Sequence, residues 1–196
     1  MVTGYAAFVG IIALERLAEL VISRRHAAWA FQRGGIEYGR AHFRVMQVLH
    51  GAFLAACVGE VYYLQRPFVP ALGIPMGGLV LLSQALRYWA MHTLGRRWNV
   101  RVIVIPGEHV VSTGPYRYVR HPNYLAVILE GLAIPLVHGA WLTALGFTAA
   151  NAGLLAVRVR CEEQALARHC RYQERLGSHP RLLPVWRGTR KSQLSA

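Results

Sequence analysis

The chain has 196 residues, 54% of them hydrophobic, yet it carries a formal net charge of +13. One soluble domain rarely combines a positive mean hydropathy of +0.28 with so many charges, so apolar residues and arginines must lie in separate parts of the fold. The arginines do not gather with stacking aromatics, and the three cysteines lack Cys-x-x-Cys spacing, so we expect neither nucleic acid nor a metal as a partner.

Five apolar runs predict transmembrane helices, because several approach the length that crosses about 30 Å of hydrocarbon. In chain order they cover residues 5–22, 45–64, 69–94, 124–137 and 141–157. We expect the last two to form a helical hairpin that turns at His138 and Gly139. The sequence therefore predicts an all-α integral membrane protein with about five transmembrane helices. It forms a single domain, residues 1–187, followed by a disordered polar tail, residues 188–196.

Positive charge is distributed unevenly over the connections between these runs. Arginines crowd the segments after the first, third and fifth runs, whereas the opposite connections carry only Arg66. By the positive-inside rule, the N-terminus lies outside and the C-terminus lies in the cytoplasm. We therefore expect a multi-pass protein of the cell (inner) membrane, surrounded by the lipid bilayer.

Charged residues near the first run have both structural and functional interpretations. Arg16 and Glu19 lie one turn apart on the first helix and are interpreted as a structural pair. The polar, glycine-rich loop at residues 33–42 is either a solvated turn or part of a substrate entrance. Glu37 and His42 are the candidate substrate residues in the second interpretation, and both interpretations stay open.

Residues 112–124 join turn formers, arginines and a histidine between two apolar runs. Gly114 and Pro115 predict a turn, and Pro122 fits the first turn of the helix that follows. The free N–H groups at that helix terminus favour a carboxylate or phosphate, and Arg120 and His121 add donors beside it. A small anionic cofactor is therefore the expected occupant.

Two polar features follow the motif. Glu130 lies two turns into the fourth run, where a carboxylate needs a donor, a proton or a substrate, so it is a further candidate substrate residue. Residues 158–176 predict a cytoplasmic helix, with Arg158 and Glu162 on one face because they are four apart. That pair is either a surface ion pair or part of a site, and its position where a span meets the cytoplasm favours the site.

Three motifs together resemble the isoprenylcysteine carboxyl methyltransferase family of integral membrane enzymes. They are Gly-Pro-Tyr at 114–116, Arg-His-Pro-x-Tyr at 120–124 and Arg-x-x-x-Glu-Glu-x-x-Leu at 158–166. The resemblance covers about residues 95–176, the catalytic half. It implies S-adenosylmethionine as the cofactor and Arg158 as the catalytic residue at the methyl acceptor. The cofactor-binding residues that it implies are Glu108, His109, Val110, Val111, Tyr116, His121, Pro122, Asn123, Tyr124 and Glu162.

The methyl acceptor is implied less directly. The arginine-rich, lysine-poor composition suggests a bacterial genome. The Glu-Arg-Leu-x-Glu-Leu motif at residues 15–20 and the 33–42 loop resemble a bacterial branch of the family that is linked to O-methylation of alkylresorcinols and alkylpyrones. The resemblance thus implies a lipophilic small molecule from the membrane, either a phenolic or enolic lipid or a carboxylate. Two alternatives remain: a phosphatidylethanolamine N-methyltransferase, or a non-enzymatic membrane scaffold or transporter subunit.

Overall fold

The computed structural model describes residues 2–170 and 172–182, and helices make up most of them. The predicted tail at residues 188–196 lies outside the described residues. The helices are α1 Val2–Phe31, α2 Arg40–Tyr63, α3 Pro70–Leu94, α4 Pro122–Leu136, α5 Trp141–His169 and α6 Tyr172–Leu176. The strands are β1 Ile36–Tyr38 and β2 Val102–Val104, and short 3-10 turns cover Gly95–Arg97 and Gly114–Arg117.

The outer surface of the bundle is apolar. Among the described helices, α2 and α5 are long and apolar enough to cross a membrane, and α4 is apolar but shorter. Large side chains such as Leu14 on α1, Val48 on α2 and Leu81 on α3 are more than half exposed. A surface of this kind suits hydrocarbon rather than water. The protein is thus built for a membrane, while the count of five spans stays a prediction.

The helices form one bundle in which α3 packs on α4, α4 on α5, and α5 on α2. Its main apolar core lies near the α4–α5 turn and includes Tyr5, Ile134 and Phe147. The Tyr5 hydroxyl donates a hydrogen bond to the carbonyl of Ile134 at 3.0 Å, which fixes α1 to α4. The predicted turn between the last two apolar runs is confirmed, and Gly139 adopts a φ of 71° there.

A short antiparallel sheet interrupts the helical pattern that the sequence predicted. Strand β1 pairs with β2, so that Glu37 lies opposite Ile103. Each strand has only three residues, and the two lie far apart in the chain. Strands this short carry no usable alternation of apolar and polar residues, which is why the prediction was all-α.

The segment 158–176, predicted as one separate cytoplasmic helix, is divided between two helices. Its first part is the end of α5, and its last part is α6. Helix α5 continues from its apolar span through Arg158 to His169, and the chain leaves the helical conformation at Cys170 before α6 begins. Hydropathy marks where a helix leaves an apolar environment, and it does not mark where the helix ends. We call the end of the bundle that carries β1, β2, residues 95–121 and α6 the motif end.

Candidate active site

A cavity of about 670 Å³ lies between the helices and the loops of the motif end. Its walls come from α1, α2, α4 and α5 and from residues 94–111, and they are mainly apolar. The cavity brings together most of the site residues that the sequence predicted. These are Glu108, His109, Val110, Val111, Tyr116, His121, Asn123, Tyr124, Glu130, Arg158 and Glu162.

Arg158 and Glu162 meet through a third residue. The Tyr124 hydroxyl donates a short hydrogen bond to Glu162 Oε2 and accepts one from Arg158 Nε at 3.1 Å. Arg158 is only 4% exposed, and its Nη2 donates to the backbone carbonyl of Val100. A surface ion pair is therefore excluded, because the guanidinium is buried and held by the protein on its Nε and Nη2 side. Its outer edge is what remains for a ligand.

The turn that carries His121 folds as the sequence predicted. Gly114 and Pro115 begin a 3-10 turn, and Pro122 occupies the first turn of α4. Gly114 has a φ of 56°, and a Cβ there would collide with the side chain of Thr93, so this position needs glycine. The His121 ring stacks on Tyr124 with centroids 5.3 Å apart. The motif thus presents His121 and Tyr124 as one rigid wall.

Glu163 connects the motif turn to the C-terminal segment. Its carboxylate lies 3.2 Å from His121 Nε2, 2.7 Å from Arg181 Nη2 and 3.4 Å from Arg120 Nη1. The backbone N–H groups of Arg120 and His121 donate to the carbonyls of Pro180 and Arg181 at 2.9 and 3.0 Å. No role was assigned to Glu163 from the sequence, although its place as the second glutamate of the 158–166 motif could have indicated one.

The segment at residues 108–111 is fixed from α3. Arg97, just after α3, forms an ion pair with Glu108 and donates to the carbonyl of His109 at 3.0 Å. The N–H of Gly107 donates to the carbonyl of His169 at 3.0 Å, which ties the same segment to the end of α5. Arg97 is therefore a positioning residue that the sequence did not indicate.

Several polar atoms in the cavity wall lack hydrogen-bond partners among the described residues. The Nε1 of Trp98, which is 2% exposed, and the Oδ1 of Asn123 have no hydrogen bond among the described residues. Burial, reinforced by the Glu162 carboxylate, raises the pKa of the Tyr116 hydroxyl well above its usual value, so that hydroxyl stays protonated. A buried donor and a buried acceptor without partners fit a polar cofactor such as S-adenosylmethionine.

Three predicted site residues do not line the cavity. Glu37 is held in the sheet region by Arg101 and Arg40, with its side chain 2% exposed. His42 packs beside Gly39, where a Cβ would lie 3.0 Å from His42 Nδ1, and that nitrogen has no partner among the described residues. Pro122 shapes the start of α4 instead. The structure gives Glu37 the partners of a structural ion pair.

Glu130 does line the cavity, but its carboxylate is already bound. Arg87 donates to both of its oxygens, through Nε at 3.1 Å and through Nη2. Arg16 Nη2 lies 3.5 Å from Glu130 and its Nη1 bonds Glu19 at 2.8 Å, so the predicted Arg16–Glu19 pair forms within a larger buried cluster. Within residues 2–170 and 172–182, no three His, Cys, Asp or Glu side chains are grouped to hold a metal ion.

The sequence profile of the isoprenylcysteine carboxyl methyltransferase family matches residues 76–168 of this chain. The uncharacterized protein YpbQ of Bacillus subtilis is 38% identical over 159 residues, which cover 81% of this chain and 94% of the relative. An uncharacterized protein of Haemophilus influenzae is 29% identical over 161 residues, which cover 82% and 92%. The chain belongs to the isoprenylcysteine carboxyl methyltransferase family. This membership identifies the protein as a methyltransferase, and together with the apolar helices it indicates a membrane protein.

The family match and the cavity cover the same part of the chain. Residues 76–168 include the motif turn, α4 and nearly all of α5, which contribute His121, Tyr124, Arg158 and Glu162 to the cavity wall. Helices α1 and α2 lie before the matched part, yet they supply much of the apolar wall. The matched part thus carries Tyr124, Arg158 and Glu162, and the preceding helices add much of the apolar wall.

Proposed function

We propose that this protein is a multi-pass enzyme that uses S-adenosylmethionine to methylate an oxygen atom of a lipophilic acceptor. The acceptor is a phenolic or enolic lipid or a carboxylate. The observation that carries the proposal is a cavity with a polar end and an apolar remainder. The Arg158–Tyr124–Glu162 cluster lies at the motif end, and mainly apolar walls extend from it into the bundle.

The polar residues of the motif end bind the cofactor. Bound S-adenosylmethionine supplies a methyl group on a sulfonium centre, which is transferred by in-line displacement. Glu162 offers a carboxylate to ribose hydroxyls or to an amino group, and Trp98 Nε1 and Asn123 Oδ1 offer a free donor and a free acceptor. The backbone of residues 108–111, fixed by Arg97, supplies further hydrogen bonds.

Arg158 is the residue that acts on the acceptor. Its Nε and Nη2 are engaged by Tyr124 and Val100, so the buried guanidinium cannot swing away. A fixed positive charge stabilises the deprotonated acceptor and so lowers the pKa of its oxygen. The acceptor oxygen therefore stays unprotonated and nucleophilic. The apolar walls exclude water from the acceptor. An amine acceptor would gain nothing from such a charge, which disfavours the phospholipid N-methyltransferase alternative.

The arginine distribution supports a cytoplasmic position for the motif end, where the cofactor is available. The proposal is tested by titrating detergent-purified protein with labelled S-adenosylmethionine and then adding a lipid extract of its host. We expect saturable cofactor binding and transfer of the label into the lipid phase. An ether product supports a phenolic or enolic acceptor, and a base-labile ester supports a carboxylate. An N-methylated headgroup would overturn O-methylation, and the absence of saturable binding would overturn the methyltransferase proposal.

A further inference from the structure

The cavity contains a second set of polar side chains, deeper in the bundle than Arg158. Asn151 precedes Arg158 by seven residues on α5, which is about 10 Å along a helix at 1.5 Å per residue. His50, Gln47, Arg16 and Glu130 line the same cavity from α2, α1 and α4. We call these five residues the inner polar layer. Simple hydrocarbon chains have no use for polar atoms at this depth.

Asn151 has an oxygen without a partner. Its side chain is 3% exposed, and Oδ1 makes no hydrogen bond with any described residue. The neighbours one turn away on the same face, Phe147 and Leu155, are buried and apolar. A buried acceptor of this kind bears the full cost of losing its water unless a ligand or a water molecule donates to it. Asn151 lines both this cavity and the smaller one beside it, so a hydrogen-bond donor inside either cavity would satisfy this oxygen.

His50 on α2 offers a second acceptor. Its Nδ1 lies 2.8 Å from the carbonyl oxygen of Met46, and a carbonyl can only accept, so Nδ1 carries the hydrogen. In the neutral ring, Nε2 is then an acceptor. The His50 ring meets Phe147 edge to face, with centroids 5.2 Å apart, and Phe147 lies one turn from Asn151. The two acceptors therefore belong to the same section of the cavity.

The charged residues of the layer do not require a charged ligand. Arg87 donates to both oxygens of Glu130, and Arg16 donates to both oxygens of Glu19 at 2.9 and 2.8 Å. An additional ammonium group at this depth would bear a large desolvation cost without a free carboxylate to meet it. The layer therefore suits an uncharged group that donates a hydrogen bond, and a hydroxyl is the smallest such group.

We infer that the lipophilic acceptor carries a hydroxyl group within its apolar portion, which donates its hydrogen bond to Asn151 Oδ1, beside His50, about two helical turns from the methyl-accepting atom. This inference rests on the proposed function in one respect, namely that the acceptor occupies this cavity. It adds a specificity that the motif end does not provide: the hydroxyl fixes how far the acceptor enters the bundle. Asn151 is then a specificity-determining residue.

The test measures binding without any methyl transfer. Two probes are compared, a long-chain alkylphenol and its analogue with one hydroxyl midway along the chain, on detergent-purified protein by calorimetry. We expect the wild-type protein to bind the hydroxylated probe about five- to tenfold more tightly, as one buried hydrogen bond allows. Asn151→Leu should bind both probes equally and should be at least as heat-stable as wild type, because it removes an unpaired buried amide.

Thr148→Val is the matched control, since Thr148 lies one turn from Asn151 on α5 and lines the smaller neighbouring cavity that Asn151 also lines, but not the main one. It should keep the preference for the hydroxylated probe. Equal binding of the two probes by wild type would mean that Asn151 holds only water, and the inference would fall. A preference that survives in Asn151→Leu, or in Asn151→Ala if the leucine variant does not fold, would overturn it as well. Cofactor binding is measured separately, so failure of the proposed function is distinguishable from failure here.

Discussion

Tyr124 joins the two residues to which we assign different tasks. Its hydroxyl donates to Glu162 and accepts from Arg158, so a substitution at either residue removes a partner of the same phenol. Activity alone therefore cannot separate a cofactor-binding role from an acceptor-binding role. Affinity for the cofactor and turnover must be measured independently in each variant.

Glu162→Gln should weaken S-adenosylmethionine binding about tenfold or more, because a charge-assisted hydrogen bond contributes roughly 1.5 to 3 kcal/mol. The measurement is the dissociation constant of labelled cofactor on purified protein. Glu163→Gln is the matched control one residue further on. Glu163 bonds His121 and Arg181, so this control should lower thermal stability and affect cofactor affinity less. Equal loss of affinity in both variants would contradict the assignment of Glu162.

Arg158→Lys should bind the cofactor within about twofold of wild type and lose most turnover, since lysine keeps the charge but not the planar fork. The lysine ammonium cannot reproduce the hydrogen bonds to Tyr124 and Val100 and also present an outer edge to an anionic acceptor. Single-turnover methyl transfer at saturating cofactor measures the effect. Wild-type turnover in this variant would show that the fork is not needed at the acceptor.

At the scale of elements, the sequence predicted the helices better than their connections. The second apolar run was expected at residues 45–64, and α2 covers Arg40–Tyr63. The additional turn is polar, so hydropathy could not reveal it. The buried partner of Glu130 was likewise missed, because Arg87 lies on another helix and only packing of α3 on α4 brings them together. Local patterns predict elements, and contacts between distant elements need the fold.

The start of α5 is stabilised by an acidic residue from another helix. Glu60, near the end of α2, accepts hydrogen bonds from the N–H groups of Leu142 and Thr143 at 3.2 and 2.7 Å and from the Thr143 hydroxyl at 2.8 Å. Arg66 completes the group with an ion pair to Glu60 at 3.0 Å. A carboxylate at this position satisfies free N–H groups and meets the positive end of the helix dipole.

Glu60→Ala should therefore lower the free energy of unfolding by about 1 to 2 kcal/mol, the usual value of an N-terminal helix cap, with little change in cofactor affinity. Thermal unfolding in detergent measures the effect. Gln65→Ala is the control, because Gln65 is close by and its side chain donates a local hydrogen bond to the backbone carbonyl of Tyr62, at 2.6 Å. A Gln65→Ala variant that is destabilised as much as Glu60→Ala would mean that the loop, and not the cap, sets the stability.

At the scale of the whole molecule, several arginines and the Arg158–Tyr124–Glu162 cluster lie at the same end of the bundle. The motif end holds Arg97, Arg101 and Arg120, each fixed by a carboxylate or a backbone carbonyl, together with the polar part of the cavity. The opposite end carries Arg66, which is paired with Glu60 and lies over the ring of Trp141 at 5.0 Å. An arginine beside an interfacial tryptophan is typical of a membrane boundary. We therefore expect the two ends to lie at opposite boundaries of the membrane.

This segregation predicts one orientation in the membrane. Because cytoplasmic connections retain arginines, the motif end should face the cytoplasm, and the loop at residues 64–69 should face outward. Reporter fusions after residue 196 and within that loop measure it: a cytoplasm-dependent reporter should be active only at the C-terminus, and an export-dependent reporter only in the loop. As a control, introducing two additional arginines into that loop should weaken the preference for this orientation, which would show that charge causes it. The reverse pattern would put the Arg158 cluster on the outer face, away from the cytoplasmic supply of cofactor, and would contradict the proposed function at its foundation.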